Sequence, residues 1–495
     1  MLKIGFDNDK YLKLQSEKIK ERILDYDKLY LEFGGKLFDD FHASRVLPGF
    51  MPDSKLKMLL QLKDEAELLI VISANDIEHN KVRQDLGISY DQDVLRLIDA
   101  FKAVDLYVGS VVVTQYAAQP EADAFIEHLN KLGVRVKKHF NIKGYPSDVE
   151  FIVSDDGFGK NEYIETTRKL VIVTAPGPGS GKMATCLSQL YQENKRGVKA
   201  GYAKFETFPV WNLPLKHPVN IAYEAATADL NDINMIDPFH LDAYGVAAVN
   251  YNRDVDVFPV LDAIFKKIWG YSPYKSPTDM GVNMAGYCIT DDRIVSSASE
   301  QEIIRRYYLA KCRNLQYKDD NAEEIFKIEL LLKQAGITRD KRPVIKYALE
   351  KAEETGAPAT AIELSDGTII TGKTSSLLGP SSAMLLNALK YLAGIPDDKK
   401  ILPPSIIEPV QDLKVNHLGN SNPRLHTDEI LVALSICAVT SDYAEKALNQ
   451  LSKLKDCEMH SSVLLSATDK TTLSRLGIRI SCEPKYQTKK LYHAK

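Results

Sequence analysis

The chain has 495 residues, of which 44% are hydrophobic and 26% charged, with a formal net charge of −4. That is an ordinary globular composition with length for about two to four domains, and the slightly acidic balance gives no electrostatic case for nucleic acid or an anionic membrane as partner. No apolar run approaches the roughly 20 residues that cross a bilayer, and the N-terminal MLKIGFDNDKYLKLQSEKIKERI lacks the apolar core of a signal peptide.

Six cysteines (Cys186, Cys288, Cys312, Cys437, Cys457, Cys482) are scattered without a C-x-x-C pair. This usage fits reduced thiols in a cytoplasmic protein and supplies no zinc-ribbon spacing.

In chain order, strands are expected at Leu29–Phe33, Leu68–Ile72, Ser110–Val113, Glu150–Val153 and Leu170–Thr174. Helices are expected at Asp91–Ala103 and Ala122–Leu132, the latter closed by Gly133. Continuous apolar strands separated by helices predict an α/β domain with a mostly parallel sheet. Residues 200–292 are polar and proline-punctuated, with a short strand at Gly245–Val249. From about Ser297 to Gly336 the pattern is helical. A second α/β region opens near Arg342, with a helix over Val344–Glu354, a hairpin turning at Asp366-Gly367 and a helix over Ser381–Ala393. The expected division is an α/β domain over 1–292, a helical connector over 293–340 and a C-terminal α/β domain over 341–495.

The first stretch with chemical content is TAPGPGSGKMATCLSQLY, residues 174–191, between an apolar strand and an amphipathic helix. It nearly matches the phosphate-cradling pattern G-x-x-x-x-G-K-[ST], in which backbone N–H groups and a lysine hold phosphate and a hydroxyl ligates Mg²⁺. Gly177, Gly179, Ser180, Gly181 and Lys182 are the candidate anion-binding residues. Pro176 stands at the first glycine position, and Met183 replaces the hydroxyl, a poor ligand for a hard cation. A glycine-rich turn with a surface lysine is the plain alternative.

Lys204 and Glu206 end the following strand pattern, and the next strand of a phosphate-loop fold often lies beside the first. The block HPVNIAYEAATADLNDINMIDPFH then offers His217, Glu224, Asp229, Asp232 and His240 for acid–base or metal work. Capping of short helices is the competing reading of its Asp and Asn residues. An acidic residue in this region would be the source of any Mg²⁺ ligand that the loop lacks. Two further glycine-bearing stretches, Gly34-Gly35-Lys36 with Asp39, Asp40, His42 and Arg45, and Asp155–Asn161, would converge on the same crevice of a doubly wound sheet. Lys275–Asn283 reads as a turn opening a helix, capped by Thr278 or Asp279.

Residues 170–207 resemble the dethiobiotin synthetase-like branch of phosphate-loop enzymes, which couple ATP to ligation. The C-terminal helix, hairpin and helix resemble the cytidine-deaminase-like α/β fold. There the second helix would carry metal ligands and a catalytic Glu, but here it begins Gly379-Pro380-Ser381-Ser382, and no P-C-x-x-C follows. Ser381 and Ser382 at that helix start could hold an anion or simply cap it.

YLEFGGKLFDDFHASRVLPGF, APGPGSGKMATCLSQLY, AGYAKFETFPVWNLPLKHPVNIAYEAATADLNDINMIDPFH and KSPTDMGVNMAG make the whole chain resemble the bacterial domain of unknown function 1846 family. That resemblance implies an α/β body, a helical insert and a C-terminal α/β domain, and no established activity. Some members carry a protease label involving ATP and zinc, for which this sequence, without H-E-x-x-H, has no residue basis.

The functional expectation is a phosphate- or nucleotide-binding enzyme, with ATP the candidate cofactor, Mg²⁺ open, and phosphoryl transfer or ATP-dependent ligation the reaction class. The alternatives are an enzyme acting on a phosphorylated metabolite without a nucleotide, and a non-catalytic ligand-binding or assembly protein. The expected partner is a phosphorylated small molecule, and homo-oligomerisation is left open.

Overall fold

Leu68-Leu69-Ile70-Val71-Ile72 and Leu170-Val171-Ile172-Val173 are apolar at every position, and every one of these side chains is buried. A strand with no polar face must be covered on both sides, which in a parallel sheet is done by crossover helices. The computed structural model, which describes residues 4–34, 37–38, 40–83, 86–317 and 321–487, shows this arrangement. Strands β1 (Lys28–Phe33), β2 (Ala66–Ser73), β3 (Val108–Tyr116), β4 (Val136–Phe140), β5 (Leu170–Thr174), β6 (Ala200–Phe205) and β7 (Gly281–Val282) form one sheet in the order β7-β6-β1-β5-β2-β3-β4. Every neighbouring pair is parallel.

The register assigns the faces. Glu32 pairs with Val173 on one side and Lys204 on the other, and Tyr30 with Val171 and Tyr202. Because side chains alternate along a strand, these six share one face. Their apolar members pack with Cys186, Leu187 and Leu190 of the Lys182–Lys195 helix and with Phe258, Leu261 and Phe265 of the Asn252–Trp269 helix.

β5 is laid down after β4 yet enters between β1 and β2, so the winding of the sheet reverses there. That is where open α/β sheets place ligands, outside the carboxyl ends of the strands. The chain divides into two compact units, residues 5–223 with 232–292, and residues 224–231 with 293–495. The parallel sheet belongs to the first.

In the second unit, strands β8 (Ala359–Glu363), β9 (Ile369–Lys373), β10 (Glu458–Ser461) and β11 (Arg479–Cys482) form a sheet ordered β9-β8-β10-β11, parallel only between β10 and β11. Gly367, at φ 86°, makes the β8–β9 turn as the Asp-Gly dipeptide predicts. The helices Asp292–Tyr317 and Ala322–Ala335 precede this sheet. Cys312 lies in its core and donates its Sγ–H to Cys482 O, and the Tyr308 ring meets His460 edge-on at 4.9 Å.

Local expectations failed at four places. Residues 150–153 are not a strand: Asp148 caps a short helix, Val149–Ile152, by accepting from Phe151 N. The strand expected at 245–249 begins at Val249, because Gly245 is the left-handed cap of the Pro238–Tyr244 helix. β4, with two lysines in Val136-Lys137-Lys138-His139-Phe140, is an edge strand that the apolar pattern hid. The helix near 277 is capped by Ser276, which accepts from Asp279 N, rather than by Thr278 or Asp279.

Candidate functional site

The glycine-rich loop leaves β5 at the carboxyl edge of the sheet and enters the helix at Lys182. Gly179 and Gly181 have φ of 77° and 89°, backbone that a side chain would strain. Ser180 Oγ donates to Gly177 O at 2.9 Å, closing the loop on itself, and Thr114 Oγ1 at the end of β3 donates to Ser180 O at 2.6 Å. The loop therefore leans across β2 towards β3. Lys182 occupies the first helical turn, is half-buried, and makes no ion pair with any described residue. A lysine free at the positive end of a helix is an anion-binding arrangement.

Gly177 is required by contact as well: a Cβ there would stand 2.2 Å from the Tyr90 hydroxyl and 2.7 Å from its ring. Gly177→Ala is expected to displace Tyr90 and lower stability by about 1–3 kcal/mol. In a double-mutant cycle with Tyr90→Ala, measured by chemical unfolding, the two losses should be clearly less than additive.

The second group is built on β6. Lys204 Nζ pairs with Asp254 in the first turn of the Asn252–Trp269 helix and with Glu206 Oε1 at 2.9 Å, and it donates to Tyr251 OH at 2.9 Å. Trp211 Nε1 donates to Glu206 Oε2 at 3.3 Å. Lys204 is 8% exposed and Glu206 and Asp254 each 5%. Burial opposes the Lys204 charge, but Asp254 and Glu206 prevail and hold its pKa well above that of an ordinary lysine. Burial pushes the Glu206 carboxyl up, against the pull of Lys204.

Around this group Phe208 stacks on Tyr223 at 5.4 Å, Tyr223 on Tyr251 at 6.3 Å, and His42 lies edge-on to Phe208 at 5.1 Å. Burial, and after it Asp232, which pairs with Arg253 at 3.3 Å, raises the Tyr223 hydroxyl pKa.

The order of strands corrects one expectation. β6 is not beside β5, because β1 lies between them. With strands roughly 4.8 Å apart, Lys204 starts about 10 Å from the loop strand and on the order of 19 Å from the β3 end where the loop leans. Glu32, which the sequence did not single out, fills the interval. It pairs in register with both Val173 and Lys204, accepts from Tyr202 OH at 2.7 Å, and helps to raise the Lys204 pKa. Tyr145, in the loop after β4, is an exposed residue overall, but local desolvation of its hydroxyl, then Glu32 and Cys186, push its pKa up to about 12.

The remaining expected residues are dispersed. His217 bonds Asp292 at 2.9 Å and accepts from Val219 N through Nδ1. His240 meets Ser276 Oγ at 2.9 Å and lies 3.7 Å from Asp279. Asp237 caps the Pro238–Tyr244 helix and also accepts from Thr278. Glu224 and Asp229 fall in the 224–231 segment that groups with the second unit. Asp40 pairs with Lys55 at 2.7 Å, while Gly35, Lys36 and Asp39 lie outside the described residues. Among the described residues no group of three or more His, Cys, Asp and Glu side chains is arranged to hold a metal ion, and no helix is long and apolar enough to cross a membrane.

Two family models match the chain, the domain of unknown function DUF1846, N-terminal, over residues 4–336, and the domain of unknown function DUF1846, C-terminal, over residues 340–492. Similar proteins include a UPF0371 protein of Streptococcus thermophilus and one of Streptococcus pyogenes serotype M3. Each is 56% identical over 495 residues, an alignment covering 99% of this chain and 100% of the relative. End-to-end matches of that kind leave one assignment: the chain belongs to the bacterial DUF1846 family, whose curated members are named UPF0371 proteins.

Proposed function

We propose that this chain is an enzyme acting on a phosphorylated small molecule. The Gly177–Gly181 backbone and Lys182 hold the phosphate, and the reacting part of the substrate extends along the carboxyl edge over Glu32 towards Lys204, Glu206, Asp254 and Tyr251. The observation that carries this reading is the placement of an unpaired lysine at a helix start and a buried acid–base group on one edge of one parallel sheet. Perturbed titration in such a crevice is characteristic of proton-transfer sites. Glu206 is the proton-transfer group in this reading, and Lys204 is the fixed positive charge that pairs with Asp254.

The reaction needs no nucleotide in this reading: Met183 stands where a phosphate loop that binds Mg²⁺-nucleotide carries a hydroxyl, which favours a substrate phosphate that requires no metal. Phosphoryl transfer or ATP-dependent ligation is the second reading. It is favoured by the order of strand, left-handed glycines, lysine and helix around Lys182.

Thermal unfolding with sugar phosphates and with ATP, each with and without Mg²⁺, separates the two. The first reading expects stabilisation by a sugar phosphate that does not require Mg²⁺ and is lost in Lys182→Ala, with the unfolding temperature of the unliganded variant unchanged. Mg²⁺-dependent stabilisation by ATP alone would replace it with the second. Stabilisation by neither, or an undiminished effect in Lys182→Ala, would sink both.

A further inference from the structure

The Thr427–Cys437 helix of the second unit is apolar on two sides. Ile430, Ala433, Leu434 and Cys437 belong to the buried core of that unit. The other side carries Val432 and Ile436, which are 62% and 63% exposed, and Val439, 83% exposed, continues it. The backbone keeps Val439 in line: the C-cap Ala438 has right-handed helical dihedrals, and Val439 N still donates to Ile436 O at 3.3 Å. The three residues are spaced four and then three apart, the interval at which one helix presents a seam to another.

Two physical features mark this strip as a contact surface. β-branched side chains lower helix propensity, because their χ1 freedom is lost against the preceding turn. Three of them facing solvent weaken the helix with no packing in return. The same stiffness suits them to an interface, where little rotamer freedom is left to lose. The second feature is charge. Residues 430–441 carry none, and Asp428 and Asp442, both exposed, bound the strip. On the Ala322–Ala335 helix, by contrast, the exposed Phe326 and Leu330 are interleaved with Lys327, Glu329 and Lys333, as on an ordinary solvated face.

An uncharged apolar seam offers nothing to a charged partner and matches a second seam of the same kind. This strip is its own complement. Turned antiparallel about a two-fold axis at Ile436, Val432 of one copy falls opposite Val439 of the other, and Ile436 meets its counterpart. Ser435, beside the axis, is small enough for the two helices to approach closely.

We propose that the strip of Val432, Ile436 and Val439 is a homodimer contact, through which two copies of this chain pair antiparallel along the Thr427–Cys437 helix. The proposal goes beyond the reading of the glycine loop and does not rest on it. Three apolar layers fall short of the roughly 800 Å² a side of a standard interface. The dimer is therefore a weak one, with a dissociation constant on the order of 10–100 µM.

Sedimentation velocity of the full-length protein, from about 1 to about 300 µM, tests this. Reversible association is expected, and added salt should tighten it by screening Asp428 and Asp442 at the rim. Ile436→Glu should weaken association at least about tenfold by placing like charges on the axis, and Ile436→Lys should do the same. Mixed in equal amounts, the two variants should associate again, because glutamate then meets lysine. Both substitutions are at an exposed position and should leave the unfolding temperature at the parent value. Val432→Glu and Val439→Lys together in one chain give an independent readout, associating where either alone does not. A monomer over the whole concentration range overturns the proposal. So does a dimer that Ile436→Glu leaves intact, a mixture that associates no better than either variant alone, or a dimer loosened by salt.

Discussion

Lys204→Met is expected to lower the stability of the first unit by about 3–5 kcal/mol, because it strands buried carboxylates rather than merely removing a contact. Lys204 is the shared partner of Glu206 and Asp254, which are almost as buried as it is. Without the ammonium group, only Trp211 and Tyr251 still donate to Glu206, and neither carries charge. The loss should depend on pH with a definite sign. Burial already raises Glu206 above its ordinary 4.5 with Lys204 opposing it, and the variant removes that opposition. A carboxyl whose folded pKa exceeds its unfolded value favours the fold below the unfolded value and loses that advantage as pH rises through the folded one.

Chemical unfolding of Lys204→Met should therefore show a deficit against the parent protein that is smallest near pH 4–5 and grows towards pH 8. A deficit constant over that range would mean that the carboxylates are not stranded. Glu206→Gln separates structure from chemistry. The amide keeps one acceptor oxygen for Lys204 and turns its NH2 donor towards Trp211, so a stability loss of about 1–3 kcal/mol is expected, smaller than that of Lys204→Met, while turnover should fall to background if Glu206 transfers the proton.

The sheet was legible where burial leaves no choice. Leu68–Ile72 of β2 and Leu170–Val173 of β5 are apolar at every position because both faces are covered, and an alternation of such runs with amphipathic helices has few solutions other than a parallel sheet. Legibility failed where a segment obeys two constraints at once. Val136–Phe140 lies at the edge and carries lysines on a strand half open to solvent. Phe151-Ile152-Val153 is a three-residue apolar run, too short for its period to be read. The Asn252–Trp269 helix contains Pro259, which reads as a breaker, yet the helix persists on the packing of Phe258, Leu261, Ile264 and Phe265.

The candidate site was half legible for a related reason. Gly177 to Lys182 are adjacent in sequence, so the candidate loop can be picked out from spacing alone. Lys204, Asp254 and Glu32 are brought together by strand order, and the insertion of β1 between β5 and β6 is what makes Glu32 part of the edge. Nothing near Glu32 in the chain signals this. The polar block drew attention by density, yet His217, His240 and Asp237 are largely engaged by helix starts and neighbouring loops. Such engagement is the ordinary fate of these residue types.

Arg342→Met should cost the second unit about 3–5 kcal/mol, through a bond pattern that no other residue can reproduce. Arg342 is fully buried at the entry to the Pro343–Thr355 helix. Its Nε donates to Ser481 Oγ at 3.0 Å, its Nη2 to Met459 O at 2.9 Å and Arg479 O at 3.0 Å, and its Nη1 pairs with Glu458. One planar group thus joins β10 and β11, the only parallel pair in their sheet, and fixes the start of the helix whose Val344 and Ala348 pack on Ala361 of β8.

Methionine restores the volume but removes the donor to Arg479 O and the closer cation of Glu458, while Met459 O keeps Ser481 Oγ and Glu458 keeps Arg479; an unsatisfied buried group costs about 1–3 kcal/mol and a broken buried ion pair adds to that. Lysine keeps the charge but cannot fork, so Arg342→Lys is expected to recover less than half of the loss. Because the chain has two compact units, a single unfolding midpoint would blur the effect. Native-state hydrogen exchange resolves it. Protection should fall at the amides of Glu458–Ser461 and Arg479–Cys482 and stay at parent values in Leu170–Thr174 and Ala200–Phe205. Equal loss in both sets would show that Arg342 stabilises the whole chain rather than this sheet, and unchanged protection in β10 and β11 would show that the buried guanidinium is dispensable.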